Sequence, residues 1–432
     1  MTNSMPRRGR AKIAVIGGGI TGMGAAYALS KHHDVTLFEA EKRLGGHAHT
    51  VYAGKSGTQP VDMGFIVFNY TNYPLMTALF DELNVPVVES NMSFGASVRG
   101  GRLEYALTSL DAVFAQRVNA LDPRYLRMVR DIFRFNARGL ETARGSNYTI
   151  KEFLNVLGTG DWFRDYYILP LSGAIWSTPT QKILDFPAAT MMRFFENHAL
   201  LSHSGQHQWY TVDGGSIEYV SRLQNRLNQQ HVSIRLNSPI QSVVREDGFV
   251  HVKAHGGSVD VFDEVVFATH SDDTLKLLSD PRALEAQLLG DVKYQPNSIV
   301  LHCDETVMPK SRKCWSSWNY TEETSKKSDK IDLTYWMNSL QPIPKSDPLF
   351  VTLNGTRPID EAKIYEERVF RHPVYDARAL SAQKAILDIN GENQTWFCGA
   401  WMKNGFHEDG LSSALDVVQQ IDFKYATAVA AE

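Results

Sequence analysis

A glycine-rich turn between a short strand and a helix constrains the fold of this chain more than any other feature. The β-branched run Lys12–Ile16 is typical of a buried parallel strand. It is followed directly by three glycines with the spacing Gly17-x-Gly19-x-x-Gly22, and then by the helix-like run Met23–Ser30. This order predicts the first βα unit of a doubly wound parallel sheet, and therefore an α/β protein.

Each glycine of this turn has its own purpose in a dinucleotide site. Gly17 permits the tight turn, Gly19 lets the backbone approach a pyrophosphate, and Gly22 allows the helix to pack closely on the strand. The N-terminus of the helix then faces the phosphates. A second strand, Asp34–Phe38, ends at Glu39, about 20 residues beyond the middle glycine. A carboxylate there accepts hydrogen bonds from an adenosine ribose and repels a 2′-phosphate, so the turn predicts a Rossmann-like dinucleotide domain.

The residues after Glu39 favour FAD over NAD. Arg43 and Leu44 lead into a second glycine pair, Gly45-Gly46, and His47 follows. A further short motif, Val61-Asp62-Met63-Gly64-Phe65, comes soon after. A glycine pair at this distance offers bare backbone N–H groups to the longer diphosphate of a flavin dinucleotide, and a simple NAD site does not need it.

The C-terminal part of the chain supplies a second helix start that suits a flavin. The strand-like run Thr395–Ala400 is followed by Gly405–Leu411, which leads into a helical run from Ser412 to Ile421. Free N–H groups at the N-terminus of that helix could stabilise negative charge on a reduced flavin ring. The cofactor site is therefore expected to draw on widely separated segments.

Together these motifs resemble the FAD-dependent amine oxidase and phytoene desaturase superfamily over nearly the whole chain. The resemblance also rests on Asp213-Gly214-Gly215 and on Pro239-Ile240. It implies non-covalent FAD with Glu39 at the ribose, the backbone of Ile240 facing adenine, and Gly399 beside the ribityl chain. The residues that it implies in FAD binding are Gly17, Gly19, Gly22, Glu39, Ala40, Arg43, Gly45, Gly46, His47, Asp62, Gly64, Phe65, Ile240, Gly399, Asp409, Gly410 and Leu411.

Four longer motifs resemble one bacterial subgroup of this superfamily. They lie at residues 45–50, 64–69, 335–338 and 405–410. Its members are typically encoded beside cyclopropane fatty-acyl synthase-like methyltransferases, and a functional relative is the flavin desaturase of furan fatty acid biosynthesis. The resemblance implies dehydrogenation of a methylated, unsaturated acyl chain of a phospholipid, with a lipid methyltransferase as a partner. The chain has no second Gly-rich fingerprint and no CxxC, so the substrate itself is expected to reduce the flavin, and dioxygen or another acceptor to reoxidise it.

Two departures from the amine oxidase pattern argue against an amine as the substrate. Asn297 stands where those enzymes usually carry a lysine next to flavin N5, and Ala400 replaces their usual glutamate. His407 and Glu408 are candidate bases, because the terminal motif should bring them near the ring, whereas Asn297 would orient a water or the flavin edge. Either candidate base could instead cap the following helix. An amine oxidase, a lipid hydroxylase and a non-catalytic flavin protein that docks on a lipid methyltransferase are the alternatives.

The scattered motifs predict a discontinuous FAD-binding domain and a mixed α+β substrate domain. The FAD-binding domain would comprise 11–75, 210–292 and 390–425, and the substrate domain 76–209 and 293–389. Alternating residues with Gly or Pro breaks predict a β-meander in the middle FAD segment. Its four strands would be Val232–Leu236, Ile240–Arg245, Phe249–Ala254 and Val259–Phe262.

The segment 124–138 carries arginines on one face of a predicted helix and apolar side chains on the other. The arginines are Arg124, Arg127, Arg130, Arg134 and Arg138, and the apolar residues are Tyr125, Met128, Val129, Ile132 and Phe133. Two interpretations are open, namely a solvated face over a core stripe and a cationic helix that contacts anionic lipid headgroups. Three aromatic clusters could line an acyl tunnel or form plain core, and they span 162–167, 191–195 and 315–320.

Composition limits the partners, the metals and the location. Forty-four basic and 48 acidic residues give a net charge of −4, which does not favour nucleic acid. The cysteines, at 303, 314 and 398, are too far apart for a metal or redox pair and indicate a reducing compartment. His198, His203 and His207 lack acidic or cysteine companions at ligand spacing, so no metal is expected.

The N-terminus imitates a signal peptide, because Arg7 and Arg8 precede the uncharged run Ile13–Leu29. Five glycines in that run would weaken a membrane or signal helix, and the run falls short of the roughly 18 apolar residues of a membrane span. We therefore expect a soluble cytoplasmic protein whose first ten or so residues form a loose tail. The protein could also contact the inner membrane face peripherally, through the arginines of the segment 124–138.

Overall fold

The computed structural model describes residues 10–176, 183–198, 201, 207–323 and 331–430. Its strands are β1 Lys12–Ile16, β2 Asp34–Phe38, β3 Thr50–Ala53, β4 Gln59–Asp62, β5 Val67–Phe68, β6 Val87–Ser90, β7 Phe94–Val98, β8 Leu103–Ala106, β9 Trp209–Val212, β10 Ser233–Arg235, β11 Ile240–Glu246, β12 Phe249–Ala254, β13 Val259–Phe262, β14 Glu264–Phe267, β15 Lys293–His302, β16 Trp318–Thr321, β17 Leu333–Trp336, β18 Phe350–Leu353, β19 Ile364–Val374 and β20 Thr395–Phe397.

The described helices are α1 Ile20–Leu29, α2 Pro74–Leu83, α3 Leu110–Val113, α4 Pro123–Ala143, α5 Ile150–Leu157, α6 Asp161–Phe163, α7 Leu169–Trp176, α8 Ala188–Asn197, α9 Ile217–Gln229, α10 Ser271–Leu277, α11 Ala283–Asp291, α12 Met337–Leu340, α13 Ala377–Ile389 and α14 His407–Ala430. A π-helical turn, Arg164–Ile168, joins α6 to α7, and a 3₁₀ turn, Arg117–Leu121, precedes α4. The N-terminal tail 1–9, His203 and most of the charged stretch 322–330 lie outside the described residues.

A five-stranded parallel sheet, ordered β10-β2-β1-β14-β20, forms the centre of one half of the molecule. The strand β1 lies in the middle and pairs with β2 on one side and β14 on the other. Apolar side chains cover both faces, as expected for parallel strands that are buried on both sides. The predicted α/β fold with a parallel sheet is confirmed, and its strands come from three distant parts of the chain.

Glycines determine how closely the helices approach this sheet and one another. A Cβ on Gly22 would lie 1.8 Å from the carbonyl oxygen of Gly17, so no larger residue fits at that position. A Cβ on Gly24 would lie 2.5 Å from the Cδ1 atom of Leu411, where α1 packs on α14. The close packing that the sequence assigned to the third glycine of the turn is therefore present.

Both of these helices begin earlier than the sequence predicted. Helix α1 begins at Ile20 and not at Met23, and α14 begins at His407 and not at Ser412. Apolar periodicity marks the body of a helix but not its first turn, which explains both errors. As a result, the N-terminal turns of both helices reach the glycine motifs themselves.

The predicted four-stranded meander is wrong in its first strand. The strands β11, β12 and β13 do form an antiparallel meander. The run assigned as the first strand contains β10, which pairs in parallel with β2 at the edge of the main sheet. The chain turns at Asn237, which has φ of 50°, and β11 then pairs with β12 in a separate sheet. Alternation identifies a strand but does not say which sheet it joins.

A seven-stranded mixed sheet, ordered β19-β15-β18-β17-β16-β7-β8, forms the second half. All its neighbours are antiparallel except β16 and β7. Helices α4, α5, α7 and α8 contribute to the same large apolar core as this sheet, which includes Tyr105, Tyr125, Phe135 and Phe195. The mixed α+β unit that the sequence predicted is present in this half.

Helix α4 contains the arginine-rich segment, and its buried side follows the predicted stripe only in part. Tyr125 and Met128 are buried as expected, whereas Phe133 is 55% exposed. The carboxylate of Asp131 is buried, accepts a hydrogen bond from Gly160 N at 2.8 Å and lies 3.2 Å from Arg130 and 3.7 Å from Arg127. Among the described residues, no helix is both long and apolar enough to cross a bilayer.

Candidate active site

A single cavity of about 1260 Å³ lies between the two halves of the molecule. One end is lined by the glycine turn after β1, and the other by α3 and α4. This volume exceeds the range of roughly 300 to 1,000 Å³ that is usual for one small ligand. The cavity is therefore large enough for a cofactor and a substrate together.

The glycine turn leaves an open cradle at the first end. The nearest atom to a Cβ built on Gly19 is the Cα of Gly46, at 4.0 Å, so Gly19 leaves room for a ligand to approach the backbone. The two glycine motifs are joined by a hydrogen bond of 2.8 Å from Gly45 N to Gly18 O. Arg43 supports the second motif by donating to Gly46 O at 2.8 Å.

The carboxylate of Glu39 also lines this end of the cavity. One oxygen accepts a hydrogen bond from Gly18 N at 2.7 Å, and the other accepts one from Glu41 N at 2.8 Å. These bonds fix the carboxylate beside the glycine turn.

We expect Glu39→Ala to weaken FAD binding without abolishing it. A hydrogen bond to a charged group is worth about 1.5–3 kcal/mol, which corresponds to roughly a 10- to 150-fold rise in Kd. Titration of the apoprotein with FAD, followed by flavin fluorescence, measures the change. Glu41→Ala is the control, since its side chain does not line the cavity, and an unchanged Kd in Glu39→Ala would remove the ribose contact.

Ten of the residues named from the sequence line the cavity. They are Gly17, Gly19, Glu39, Gly45, Gly46, His47, Gly64, Phe65, Gly399 and His407. Ten others do not, and they are Gly22, Ala40, Arg43, Asp62, Ile240, Asn297, Glu408, Asp409, Gly410 and Leu411.

Three carboxylates of that group hold the elements around the cavity in place. Glu408 accepts hydrogen bonds from Leu75 N and Met76 N, both at 2.9 Å, and so caps α2. Asp409 accepts from Phe406 N at 2.9 Å at the start of α14. Asp62 accepts hydrogen bonds from Thr50, Ser216 and Gln341, although burial raises its pKa to about 6. The prediction of Glu408 as a base is corrected, because backbone donors occupy both of its oxygens away from the cavity.

His407 lies at the first turn of α14 and lines the cavity. Its imidazole stacks on Phe65 with ring centres 4.1 Å apart. The Nε2 atom is buried and has no hydrogen-bond partner among the described residues. Burial, followed by the nearby His47, lowers the pKa of His407 to about 3, so the ring is neutral at physiological pH.

Asn297 reaches the cavity only through His372. Ser298 N donates a hydrogen bond to Asn354 Oδ1 at 3.0 Å, which fixes the orientation of the Asn354 amide. Asn354 Nδ2 therefore donates to Asn297 Oδ1 at 2.8 Å. Asn297 Nδ2 then donates to His372 Nδ1 at 2.7 Å. A backbone N–H thus fixes the orientation of both amides and leaves the His372 proton on Nε2. The predicted contact of Asn297 with the flavin edge is corrected to support of His372, which does line the cavity.

The histidines beside the cavity were missed as a group. His47 lies 5.6 Å from His372 and 5.8 Å from His270 between ring centres, and it packs on Phe370 at 4.6 Å. Burial is the main cause that lowers the pKa of His47 to about 4 and those of His270 and His372 to about 3. His47 Nε2 is buried, and no hydrogen-bond partner for it lies in the part of the chain that the structure describes. The sequence held no signal for this cluster, because its members lie on three distant segments.

We expect Asn297→Asp to raise the pKa of His372 and to move its proton. A carboxylate beside Nδ1 accepts a hydrogen bond from the ring and favours its charged form, which raises a histidine pKa by about 1 to 3 units. NMR of the protein labelled with ¹⁵N-histidine would show a proton on Nδ1 in the variant and on Nε2 in the wild type. Asn297→Ser is the control, and an unchanged tautomer in Asn297→Asp would contradict the assignment.

The far part of the cavity is an apolar chamber between α4, α7 and the seven-stranded sheet. Its lining includes Phe94, Tyr105, Met128, Ile132, Tyr167, Leu171, Phe194, Ile299, Trp318, Tyr335 and Leu353. Each aromatic cluster considered from the sequence contributes one residue to this wall, and the remaining described members of the clusters form core. The charged residues that line the whole described cavity are Glu39, Asp273 and Arg371.

One group of possible metal ligands lies near the histidines. Ligand atoms of His270, Asp272 and Asp273 lie within 4.8 Å of one another. Both aspartates are engaged by Arg371, at 2.6 Å in the case of Asp272. Lys276 lies 2.9 Å from Asp273. A guanidinium and an ammonium thus already neutralise both carboxylates, although Asp272 Oδ1 is buried without a hydrogen-bond partner among the described residues.

Comparison with known proteins places these features in a family. The family model of the flavin-containing amine oxidoreductases matches residues 20–406. The flavin-dependent L-tryptophan oxidase RebO of Lentzea aerocolonigenes is 42% identical over 59 residues, which are 13% of this chain and 12% of that protein. The chain thus aligns with about a tenth of the length of the curated relatives that it matches.

Solved structures share the fold over nearly the whole chain. The CLA-producing fatty acid isomerase from P. acnes aligns with 95% of this chain and 98% of its own, at a TM-score of 0.67 and 17% identity. A putrescine oxidase aligns with 95% of this chain and 99% of its own, at a TM-score of 0.69 and 13% identity. At these identities the likeness shows a common fold.

Proposed function

This chain belongs to the flavin-containing amine oxidoreductase family, with FAD as its cofactor, and we propose that it acts as an FAD-dependent dehydrogenase of a fatty acyl chain. The observation that carries the proposal is the continuity of one cavity from the glycine cradle into an apolar chamber. A substrate in that chamber lies directly beyond the position of the flavin.

The residues at the first end of the cavity fit FAD. Gly19 leaves a cradle that a Cβ would fill, and the N-terminal turns of α1 and α14 both line the cavity. Helix N-termini supply free N–H groups for a pyrophosphate and for charge on a flavin ring. The Nε2 atoms of His47 and His407 are buried without partners in the described protein, as expected for groups that contact a ligand. When bound, FAD supplies an acceptor that takes a hydride at N5 and passes the electrons to dioxygen.

The chamber suits an acyl chain better than an amine. A protonated amine in a buried site is stabilised best by a free carboxylate, because a buried charge needs a charged partner. Of the carboxylates that line the described cavity, Glu39 is held at the ribose end and Asp273 is paired with Arg371. The rest of the wall is apolar or uncharged. Burial of hydrocarbon there is favourable, at about 0.8 kcal/mol per CH₂.

The neutral histidines provide the proton acceptor. Removal of a hydride and a proton from adjacent carbons forms a double bond, so a base must take the proton near the hydride acceptor. His407 lines the cavity, its buried Nε2 has no hydrogen-bond partner among the described residues, and its ring is held by stacking on Phe65. His372 carries its proton on Nε2, so it can only donate. We therefore assign proton abstraction to His407.

The finer proposal is that the substrate is a methylated, unsaturated acyl chain of a phospholipid, with a lipid methyltransferase as the partner that supplies it. The resemblance of the motifs at 45–50 and 405–410 to the bacterial subgroup supports it. A fatty acid isomerase among the structural neighbours is consistent with acyl chains in this fold. The arginines of α4 are the candidate contacts for anionic headgroups, since Arg124, Arg127 and Arg130 remain more than half exposed.

Anaerobic mixing of the purified protein with such a phospholipid tests the proposal. We expect bleaching of the flavin absorbance and a lipid product that has lost two hydrogens, as seen by mass spectrometry. Bleaching by simple alkyl amines instead would make the protein an amine oxidase, and a product that gains oxygen in air would make it a hydroxylase. Persistent absorbance with every donor would favour an accessory role. Mass spectrometry of total lipids from cells with and without the gene identifies the natural chain.

A further inference from the structure

Exposed apolar side chains lie on α3, on α4 and on the turn between these two helices, which line the part of the cavity far from the glycine cradle. Leu110 and Phe133 line the cavity and are 77% and 55% exposed. Val118 and Leu121 lie on the 3₁₀ turn that connects α3 to α4, and they are 70% and 82% exposed. We call these four residues the apolar rim. Single exposed apolar residues are normal, but four of them between positions 110 and 133, two of which line the cavity, need an explanation.

The charge around the rim differs from that of the whole chain. The segment 107–138 carries six arginines and three aspartates, whereas the chain has a net charge of −4. The side chains of Arg117, Arg124, Arg127 and Arg130 are each more than half exposed. Apolar side chains interspersed with exposed cations are typical of surfaces that enter the boundary of an anionic bilayer.

We propose that the apolar rim inserts into the surface of an anionic phospholipid bilayer, so that the cavity mouth opens directly onto the acyl chains. This inference deepens the proposed function and rests on it, because a phospholipid acyl chain must leave a bilayer to reach the flavin. Insertion of the rim would let the chain move from one apolar environment to another without crossing water. The exposed arginines would contact headgroups beside the rim and add electrostatic attraction near such a surface.

Co-sedimentation of the FAD-loaded protein with vesicles of phosphatidylcholine and phosphatidylglycerol tests whether the apolar rim enters an anionic bilayer. We expect Val118→Gln with Leu121→Gln to lower vesicle partitioning by about tenfold, because two apolar side chains no longer enter the bilayer. The matched control is Leu387→Gln with Phe423→Gln, on α13 and α14, whose residues are 53% and 71% exposed. We expect the control to bind like the wild type.

Salt separates the two contributions to binding. Screening within about 8 Å at physiological ionic strength reduces the arginine contribution as salt is added, so wild-type binding should fall but persist at high salt. The rim variant should lose the part that persists. Equal binding of the rim variant and the wild type would overturn the proposal, as would equal binding of the wild type to neutral and anionic vesicles.

Two further readouts distinguish this proposal from its rivals. Flavin reduction by a short acyl substrate free in solution should be unchanged in the rim variant, because Val118 and Leu121 do not line the cavity. If no acyl substrate reduces the flavin while vesicle binding behaves as expected, the proposed function fails and the bilayer contact stands. A dimer of the wild type that the rim variant abolishes, seen by analytical ultracentrifugation, would show that a second copy covers the rim and would overturn the bilayer proposal.

Discussion

Gly19→Leu is expected to fold normally and to lose FAD. A Cβ at this position meets no described atom nearer than the Gly46 Cα at 4.0 Å, so the fold tolerates a side chain. That side chain would occupy the cradle where the backbone must approach a pyrophosphate. Exclusion of the pyrophosphate from the backbone should raise the Kd for FAD more than about 10³-fold, since each 1.4 kcal/mol is tenfold. The wild type should be yellow and release FAD on heating, whereas the variant should be colourless.

Two glycine variants control this experiment. Gly257→Leu lies on a meander turn where the nearest atom to a Cβ is 3.6 Å away, and it should keep both the fold and the flavin. Gly22→Ala places a Cβ 1.8 Å from Gly17 O and should destabilise the whole protein. Circular dichroism distinguishes the two kinds of loss. A folded Gly19→Leu protein that retains stoichiometric FAD would exclude this cradle as the pyrophosphate site.

The glycine cradle could be predicted because it depends on short-range sequence. Spacing within the segment 17–22 determines where the turn, the close approach and the helix start fall, and neighbouring residues alone enforce it. The carboxylate of Glu39 follows on the very next strand. Such features need no knowledge of distant pairing, so the sequence locates them correctly.

The hydrogen bond from Asn297 to His372 could not be predicted, because it depends on the register between two strands. In the pairing of β15 with β19, Asn297 lies opposite Phe370 and Gln295 lies opposite His372. This register brings the Asn297 amide to within 2.7 Å of the His372 ring, although the two residues are 75 positions apart. A shift of one residue would turn the amide to the other face of the sheet. Nothing in either segment alone specifies that register.

The helix α4 shows a different limit of sequence analysis. Its period of 3.6 residues correctly predicted a helix with buried Tyr125 and Met128. It also predicted burial of Phe133, which is exposed. Periodicity reports which residues share a face, but it cannot distinguish a core from a cavity mouth.

His407→Ala is expected to retain FAD and to slow flavin reduction by the acyl substrate by about 10²-fold, the usual scale of lost acid–base catalysis. His407 lines the cavity and its buried Nε2 has no partner among the described residues, whereas its neighbours have other roles. Glu408 caps α2, and Asn297 supports His372. Anaerobic stopped-flow measurement of the flavin absorbance gives the rate of the reductive step alone.

The pH dependence of that rate separates proton abstraction from a purely supporting role. Burial lowers the pKa of His407 to about 3, and only the neutral ring accepts a proton. The wild-type rate should therefore stay level as pH falls from about 8 to 5, and should decline only as pH approaches the lowered pKa. An ordinary histidine, with a pKa of about 6.5, would lose rate about tenfold per unit below that value.

Two variants complete the test of His407. His407→Gln keeps a polar side chain against Phe65 but cannot take a proton, so it should be as slow as His407→Ala. His198→Ala removes another cavity histidine, whose Nδ1 is already 2.9 Å from Phe194 O, and it should change the limiting rate by less than about threefold, since no acid–base help is lost there. A fast His407→Gln enzyme would mean that the ring only positions the flavin or the substrate. The proton would then pass to His47, the other histidine of the described cavity with a free, buried Nε2.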